Sequence, residues 1–183
     1  MRKNSFEIVY TAGQEAKICM VLSCMASATI EDVAKAAPNG LRWLQMYMFR
    51  DQELTRSLVK HAEDSGYKAI VLTVDAITHG RRWRDLKNQS VLLPHMRFGN
   101  IRGYKTEACS TEDYALYVKS LLEQAIDWTS FSWLKSITRL PVLIKGILTA
   151  EDAKFAVQHG VNGIIVSNHG GRQLDGVPAT VIL

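Results

Sequence analysis

The sequence has few cysteines, few prolines and no long apolar run. It contains three cysteines and four prolines in 183 residues. Cys19, Cys24 and Cys109 are odd in number and lack zinc-site spacing, so we predict free thiols, a reducing compartment and no metal. No stretch approaches the ~18 apolar residues of a membrane span, and the first residues show no secretory signal. The composition therefore argues against a disulfide scaffold or a membrane protein.

The net charge of the sequence is also small, and most of its basic residues are not clustered. The net charge is +4, and 47% of the residues are hydrophobic against 22% charged, as in an ordinary globular domain. Apart from the run at residues 81–84, the basic residues are dispersed, whereas a nucleic-acid binder concentrates them on one stripe. We therefore predict no nucleic-acid partner, and a mild preference for an anionic ligand.

Short apolar segments alternate with amphipathic ones along the chain. Strands are predicted at residues 18–23, 41–47, 69–74, 141–145 and 163–166. Thr29 and Thr149 each begin a capping-box pattern, and Gly66 and Gly160 are suited to end helices. Residues 69–74 are continuously apolar, which is typical of a strand buried on both faces. The alternation predicts one α/β domain with a parallel sheet.

Residues 76–112 interrupt this alternation with basic, polar and turn-forming residues. Helices are predicted after them, at residues 114–126 and 131–138. Loops of this length inside a compact domain are usually functional or mobile, so we predict a functional loop here.

Each predicted strand ends in polar or ionisable residues. They are Ser23, Gln45 with Tyr47, Thr73 with Asp75, Lys145, and His169 with Arg172. Any one of them could be a satisfied polar strand end. Together they predict a site, because the carboxyl ends of parallel barrel strands converge on one face.

His169 is the strongest candidate for chemistry at these ends. Two glycines follow it, which lets a ligand approach closely, and Arg172 lies three residues on. The imidazole can take a proton, the guanidinium can hold an anion, and Asp75 can orient the imidazole. The remaining histidines, which are His61, His79, His95 and His159, are predicted to be surface residues.

Residues 167–175 and 178–180 resemble the signature of the FMN-dependent 2-hydroxy-acid oxidases and dehydrogenases. The first segment reads Ser-Asn-His-Gly-Gly-Arg-Gln-Leu-Asp and the second reads Pro-Ala-Thr. The segments at 45–47, 72–75, 80–82 and 145–146 are also similar to that family. The resemblance runs from about residue 18 to residue 183.

The resemblance implies a role for each strand-end residue. It makes His169 the base with Asp75 as its partner, and it places the substrate against Tyr47, Arg82 and Arg172. It also implies FMN as cofactor, held by Ser23, Gln45, Thr73 and Lys145. The implied reaction oxidises an (S)-2-hydroxy acid to a 2-oxo acid, with O2 as electron acceptor and hydrogen peroxide as product.

The implied fold is an incomplete (β/α)8 barrel containing about strands two to six. Residues 1–17 are predicted to be a divergent segment and residues 18–183 a partial barrel. A full barrel needs about 250 residues, and phosphate sites use loops after strands seven and eight, which we expect to lie outside these residues. The alternative is a non-catalytic chain without stable FMN binding. Another FMN barrel with a different substrate fits the His-x-x-Arg pair less well.

One position departs from the glycolate-oxidase pattern within this family. Met25 stands where those members have tryptophan, two residues after Ser23. This feature, and the segment at residues 133–141, resemble the long-chain hydroxy-acid oxidases of animals, which predicts medium or long substrates. The resemblance also implies a peroxisomal location and a homo-oligomer.

Overall fold

The computed structural model describes residues 5–78, 80–88, 98–101 and 111–182. Five strands lie in it: β1 (Met20–Ser23), β2 (Arg42–Met46), β3 (Ala69–Thr73), β4 (Val142–Ile147) and β5 (Gly163–Val166). The helices are α1 (Ser5–Glu15), α2 (Ile30–Ala36), α3 (Gln52–Asp64), α4 (Trp83–Lys87), α5 (Thr111–Leu121), α6 (Trp128–Ser136) and α7 (Ala150–Gln158). A short 3-10 turn covers Thr180–Ile182.

The strands form one parallel sheet in sequence order, β1-β2-β3-β4-β5. The five predicted strands are confirmed, with ends that differ by one or two residues where they differ at all. All five residues of β3 are buried, which confirms the prediction for that strand. The parallel order places all five carboxyl ends along one edge of the sheet.

The sheet has two unlike faces, because successive side chains of a strand point in opposite directions. One face, here called the helix-covered face, is apolar, and each of its central residues is at most 2% exposed. These residues are Leu22, Leu44, Met46, Ile70, Leu72, Val142 and Ile144. They belong to one core cluster with residues of α2, α3, α6 and α7, so the helices and the sheet share a single core.

Side-chain caps begin four of the helices. The hydroxyls of Thr29 and Thr149 accept hydrogen bonds from the backbone N–H groups of Asp32 and Asp152, as the capping boxes predicted. Asp51 caps α3, and Asp127 caps α6 by accepting a bond from the Ser130 N–H at 2.8 Å. The Asp127 cap explains why α6 begins at Trp128, three residues before the predicted start.

Helix α1 lies in a segment for which the sequence predicted no element. Tyr10 is buried, and the Thr11 hydroxyl donates to the Ala36 carbonyl at 3.4 Å. The Gln14 side-chain oxygen accepts from the Asn39 N–H at 2.8 Å. These bonds tie α1 to the end of α2. The predicted division after residue 17 stays a prediction.

The segment at residues 76–112, predicted to be a loop, contains the short helix α4 and the first two residues of α5. Helix α5 spans Thr111–Leu121, whereas the prediction placed it at residues 114–126. The predictions for His79, His95 and Cys109 lie outside the described residues. In the part of the chain that the structure describes, no helix has the length and apolarity needed to cross a membrane.

Candidate active site

Four of the predicted cofactor residues lie on the second face of the sheet, here called the site face. Strand register pairs Ser23 with Gln45, and Thr73 with Lys145. The Gln45 side-chain amide donates to the Thr73 hydroxyl at 2.9 Å. Thr73 is buried, whereas Ser23, Gln45 and Lys145 are half-buried. The four side chains therefore form a polar row across four adjacent strands.

His169 and Asp75 are paired, as predicted. His169 Nδ1 lies 2.8 Å from Asp75 Oδ1, and the two side chains are only 10% and 11% exposed. A hydrogen bond to an ionised carboxylate requires the proton on Nδ1, and this arrangement would leave the second ring nitrogen, Nε2, free to act as a base. The residues are 94 positions apart in the chain, and only the fold brings them together.

The loop that carries His169 is shaped by its neighbours. The backbone of His169 has φ 58°, and Gly170 and Gly171 follow with φ 67° and 68°. The Ser167 hydroxyl accepts from the His169 N–H at 3.1 Å, and the Asn168 side chain accepts from the Gly170 N–H at 3.0 Å. A left-handed backbone at a non-glycine residue costs free energy, and here these bonds offset it.

Tyr47 stands at the end of β2, beside these groups. Burial, followed by electrostatic interactions with Cys24 and Asp75, raises the pKa of its phenol to about 12, while Arg82 and Arg172 act in the opposite direction. The phenol therefore stays protonated near neutral pH and can donate a hydrogen bond. These influences also show that Tyr47, Asp75 and both arginines lie in one electrostatic neighbourhood.

The two predicted arginines are held differently. Arg172 donates from Nε to the carbonyl of His169 at 2.9 Å, which fixes its guanidinium beside the base. Arg82 lies 3.7 Å from Asp85, and its Nε is buried without a hydrogen-bond partner among the described residues. A buried unpaired guanidinium N–H costs free energy unless an acceptor meets it, which suits a carboxylate ligand.

A cavity of about 60 Å³ joins several of these residues. Its polar lining includes Tyr47, Arg82, His169 and Gln173. Its apolar lining includes Met25 from the β1 loop, together with Val118 and Leu122 at the end of α5. The sequence did not indicate Val118 of α5 or Leu122, which directly follows α5.

Larger cavities of about 470 and 530 Å³ lie elsewhere and contain none of the predicted site residues. Among the residues that the structure describes, no three His, Cys, Asp or Glu side chains gather in a way that could hold a metal ion.

A contact between two loops was also not predicted. The Gln173 side-chain amide donates to the Thr78 carbonyl at 2.9 Å. A Cβ atom on Gly80 would lie 1.9 Å from the Arg172 carbonyl oxygen, so only glycine fits there. The loop that carries Arg82 therefore packs directly on the loop that carries His169 and Arg172.

The donor set of the site face fits the flavin that the resemblance implies. A flavin ring presents carbonyl oxygens and ring nitrogens along one edge. Ser23, Gln45, Thr73 and Lys145 offer two hydroxyls, an amide and an ammonium group in one row, with three of them partly open. The ammonium of Lys145 would supply a positive charge to offset the negative charge of a reduced flavin.

Comparison with known proteins agrees with these features. The family model described as FMN-dependent dehydrogenase matches residues 1–183. The 2-hydroxyacid oxidase 1 of Homo sapiens is 46% identical over 168 residues, covering 88% of this chain and 45% of that protein. The glycolate oxidase of Spinacia oleracea is 44% identical over 174 residues, covering 93% of this chain and 47% of that protein. The chain thus spans about half the length of these relatives.

Solved structures show the same relationship. A mandelate oxidase structure with (S)-4-hydroxymandelic acid superposes with a TM-score of 0.89 at 36% identity. The match covers 97% of this chain and 50% of that chain. The predicted fold class, an incomplete (β/α)8 barrel, is confirmed, and so is the family resemblance drawn from the sequence.

Proposed function

The chain belongs to the FMN-dependent dehydrogenase family, and we propose that it supplies the base and the substrate-binding residues for oxidation of (S)-2-hydroxy acids to 2-oxo acids. One observation carries the proposal. His169, which is paired with Asp75 at 2.8 Å, borders the same cavity as Tyr47 and Arg82. A base, its orienting carboxylate, a hydrogen-bond donor and a cation are the groups that a hydroxy acid requires.

In this proposal the Nε2 atom of His169 removes a proton from the substrate. Asp75 accepts the Nδ1–H bond, which keeps Nε2 free of a proton and stabilises the imidazolium once the proton has moved. The pair is largely shielded from solvent, which strengthens this electrostatic effect.

The substrate carboxylate is assigned to Arg82 and Arg172. Arginine matches a carboxylate with two parallel N–H donors, and the unpartnered Nε of Arg82 is available for such a bond. The protonated phenol of Tyr47 donates a further hydrogen bond to the substrate. These contacts orient the hydroxyl-bearing carbon toward both the base and the site face.

The polar row of the site face is assigned to the cofactor. Ser23, Gln45 and Thr73 would contact the flavin ring, and Lys145 would stabilise negative charge at its edge. FMN, when bound, would accept the two electrons and the second hydrogen that leave the substrate. The residues of the polar row would position it and offset the charge that develops on it.

We further propose medium or long apolar substrates, on the apolar character of the cavity lining and not on its volume of about 60 Å³. Met25, Val118 and Leu122 line the cavity, and a methionine side chain adapts to irregular apolar groups. We further propose O2 as the electron acceptor, with hydrogen peroxide as product, and a peroxisomal homo-oligomer. These assignments follow the family resemblance.

The test uses the holoenzyme, here meaning this chain with FMN bound, either as it stands or within a longer polypeptide. The substitution His169→Gln should slow anaerobic flavin reduction by a 2-hydroxy acid by about 10²–10⁴-fold, because it removes the base. FMN content should not change. Stopped-flow absorbance of the flavin measures the reduction without the later reaction with O2.

His61→Gln is the matched control, because His61 also pairs with a carboxylate, that of Glu31, but lies outside the site. The control should reduce flavin at the parental rate. Equal rates for His169→Gln and the parent would refute His169 as the base. A chain that never acquires visible flavin absorbance would favour the non-catalytic alternative.

A further inference from the structure

We infer that Gly146 is a positioning residue, whose missing side chain leaves the space through which Asp75 reaches His169 across strand β4. This inference rests on the proposed function of the His169–Asp75 pair. It adds a structural requirement on β4, the strand that lies between Asp75 and His169, which the hydrogen bond between these two residues does not reveal by itself.

The pair connects strands that are not neighbours in the sheet. Asp75 follows β3 and His169 follows β5, while β4 lies between the two strands. Neighbouring strands are about 4.8 Å apart, so the connection spans roughly 10 Å at the carboxyl edge. The 2.8 Å bond from Asp75 to His169 must therefore pass over the end of β4.

Strand β4 has an irregularity at this crossing. Lys145 pairs with Ile165 and Ile147 pairs with Val166, so Gly146 is the extra residue of a bulge. Its φ is 117°, a conformation that side chains of L-amino acids rarely adopt. Lys145 just before it still accepts a hydrogen bond from the Val74 N–H at 2.9 Å, so the bulge begins where regular pairing with β3 ends.

The space above Gly146 is filled by Asp75. A Cβ atom at Gly146 would lie 2.6 Å from both Cβ and Cγ of Asp75, and 2.9 Å from its backbone nitrogen. Carbon atoms in contact lie about 3.5–4.0 Å apart, so Asp75 would have to move by roughly an ångström. A shift of that size breaks a 2.8 Å hydrogen bond to an imidazole that is itself held in a constrained loop.

The first test is Gly146→Ala in the holoenzyme. The rate of anaerobic flavin reduction should fall about 10²-fold, the lower end of what a positioned base contributes. The KM for the hydroxy acid should stay close to the parental value, because Arg82, Arg172 and Tyr47 are untouched. Gly66→Ala is the control: Gly66 has φ 75° with no atom closer than 3.9 Å to a new Cβ, and its rate should be parental.

The second readout needs neither FMN nor turnover. Nitrogen-15 chemical shifts of the His169 ring report which nitrogen carries the proton in the neutral imidazole. The parent should show the Nδ1–H form, because Asp75 accepts from it. Gly146→Ala should shift the ring toward the Nε2–H form, and Gly66→Ala should not.

Asp75→Asn makes the two proposals distinguishable. If Gly146 acts through Asp75, then Gly146→Ala should add almost nothing to the loss in an Asp75→Asn background. Equal losses in both backgrounds, or an unchanged tautomer, would overturn the inference about Gly146 and leave the proposed function standing. An Asp75→Asn rate equal to the parental rate would instead overturn the proposed function.

A second variant keeps the inference testable if Gly146→Ala prevents folding. In that case Asp75→Gly is combined with it, which removes the Cβ and Cγ atoms that the new methyl group would meet. Recovery of the folded circular-dichroism signal supports the inference. Continued failure to fold would assign the loss to the backbone at Gly146, through its φ of 117° and the 2.9 Å approach to the Asp75 nitrogen, and would overturn a role exerted through the Asp75 side chain.

Discussion

The helix-covered face and the site face are made by the same five strands, yet they differ in packing and in chemistry. Leu44 and Gln45 illustrate this as adjacent residues of β2. Leu44 is fully buried in the shared core, while Gln45 is half-buried and bonded to the Thr73 hydroxyl. A change of one position therefore moves a side chain from the core to the candidate cofactor row.

The difference shows that one face of the sheet mainly stabilises the fold, while the other face carries the candidate site. Apolar burial contributes about 25 cal/mol per Å², so the helix-covered face supplies much of the folding free energy. The site face contributes less burial outside β3, and Ser23, Gln45 and Lys145 on it stay partly accessible. Barrels generally tolerate this arrangement because the carboxyl ends of the strands contribute little to the core.

The largest effect expected from this difference between the two faces is on the free energy of unfolding. Leu44→Ala should lower the free energy of unfolding by about 2–5 kcal/mol, because it removes a fully buried side chain. Gln45→Ala should lower it by less than about 1 kcal/mol, yet it should weaken FMN binding roughly tenfold through the lost hydrogen bond. Urea denaturation and FMN titration measure the two quantities.

The two faces would not be functionally distinct if both substitutions changed stability equally. The same conclusion would follow if Leu44→Ala weakened FMN binding in the folded protein as much as Gln45→Ala did.

The free energy of unfolding should depend on pH through the buried thiol of Cys24, which directly follows β1. Cys24 is fully buried, and this burial raises the pKa of its thiol from 9.0 to about 12. The unfolded chain loses this proton first, so stability is fully present below pH 9 and falls as the pH rises from 9 to 12. The slope that Cys24 adds approaches about 1.4 kcal/mol per pH unit.

Cys24→Ala should reduce that slope, which is measured by urea denaturation at several alkaline pH values. Cys19→Ala is the control, because the Cys19 thiol is less buried, although its pKa is also raised by burial. Identical slopes for the parent and Cys24→Ala would show that the Cys24 thiol is not held neutral by burial.

The smallest expected effect concerns the substrate. Met25→Trp places a bulky ring in the cavity wall beside Tyr47 and His169. The ratio of kcat/KM for a long-chain acid to that for glycolate should fall about fivefold, or about 1 kcal/mol, because a filled pocket discriminates by size. Val21→Ile changes a partly exposed residue of strand β1 and is the control, so it should leave the ratio unchanged. An unaltered ratio for Met25→Trp would remove Met25 from the substrate pocket.

Most of the fold could be predicted from the sequence. The apolar strands, the capping residues Thr29 and Thr149 and the terminating glycines are local signals, and each was found where the pattern placed it. Helices α1 and α4 were not predicted. Helix α4 has only five residues and no side-chain cap, and α1 depends on bonds to residues 36 and 39.

The candidate site was only partly predictable. Ser23, Gln45, Thr73, Asp75, Lys145 and His169 lie at strand ends, so parallel pairing alone brings them to one edge. Val118 and Leu122 could not be assigned to the cavity, because the position of α5 over the site depends on its packing. The contact between Gln173 and Thr78 joins loops 95 residues apart, for which no local pattern exists.

The sequence by itself determined the alternation of strands with most of the helices, and the polar residues at the strand ends. These follow from periodicity and from backbone preferences that act over a few residues. Only the tertiary structure decided that Asp75 meets His169 across β4 and that Gly146 leaves room for it. The physical reason is that close packing between distant segments is set by strand register and by one bulge, which no local pattern specifies.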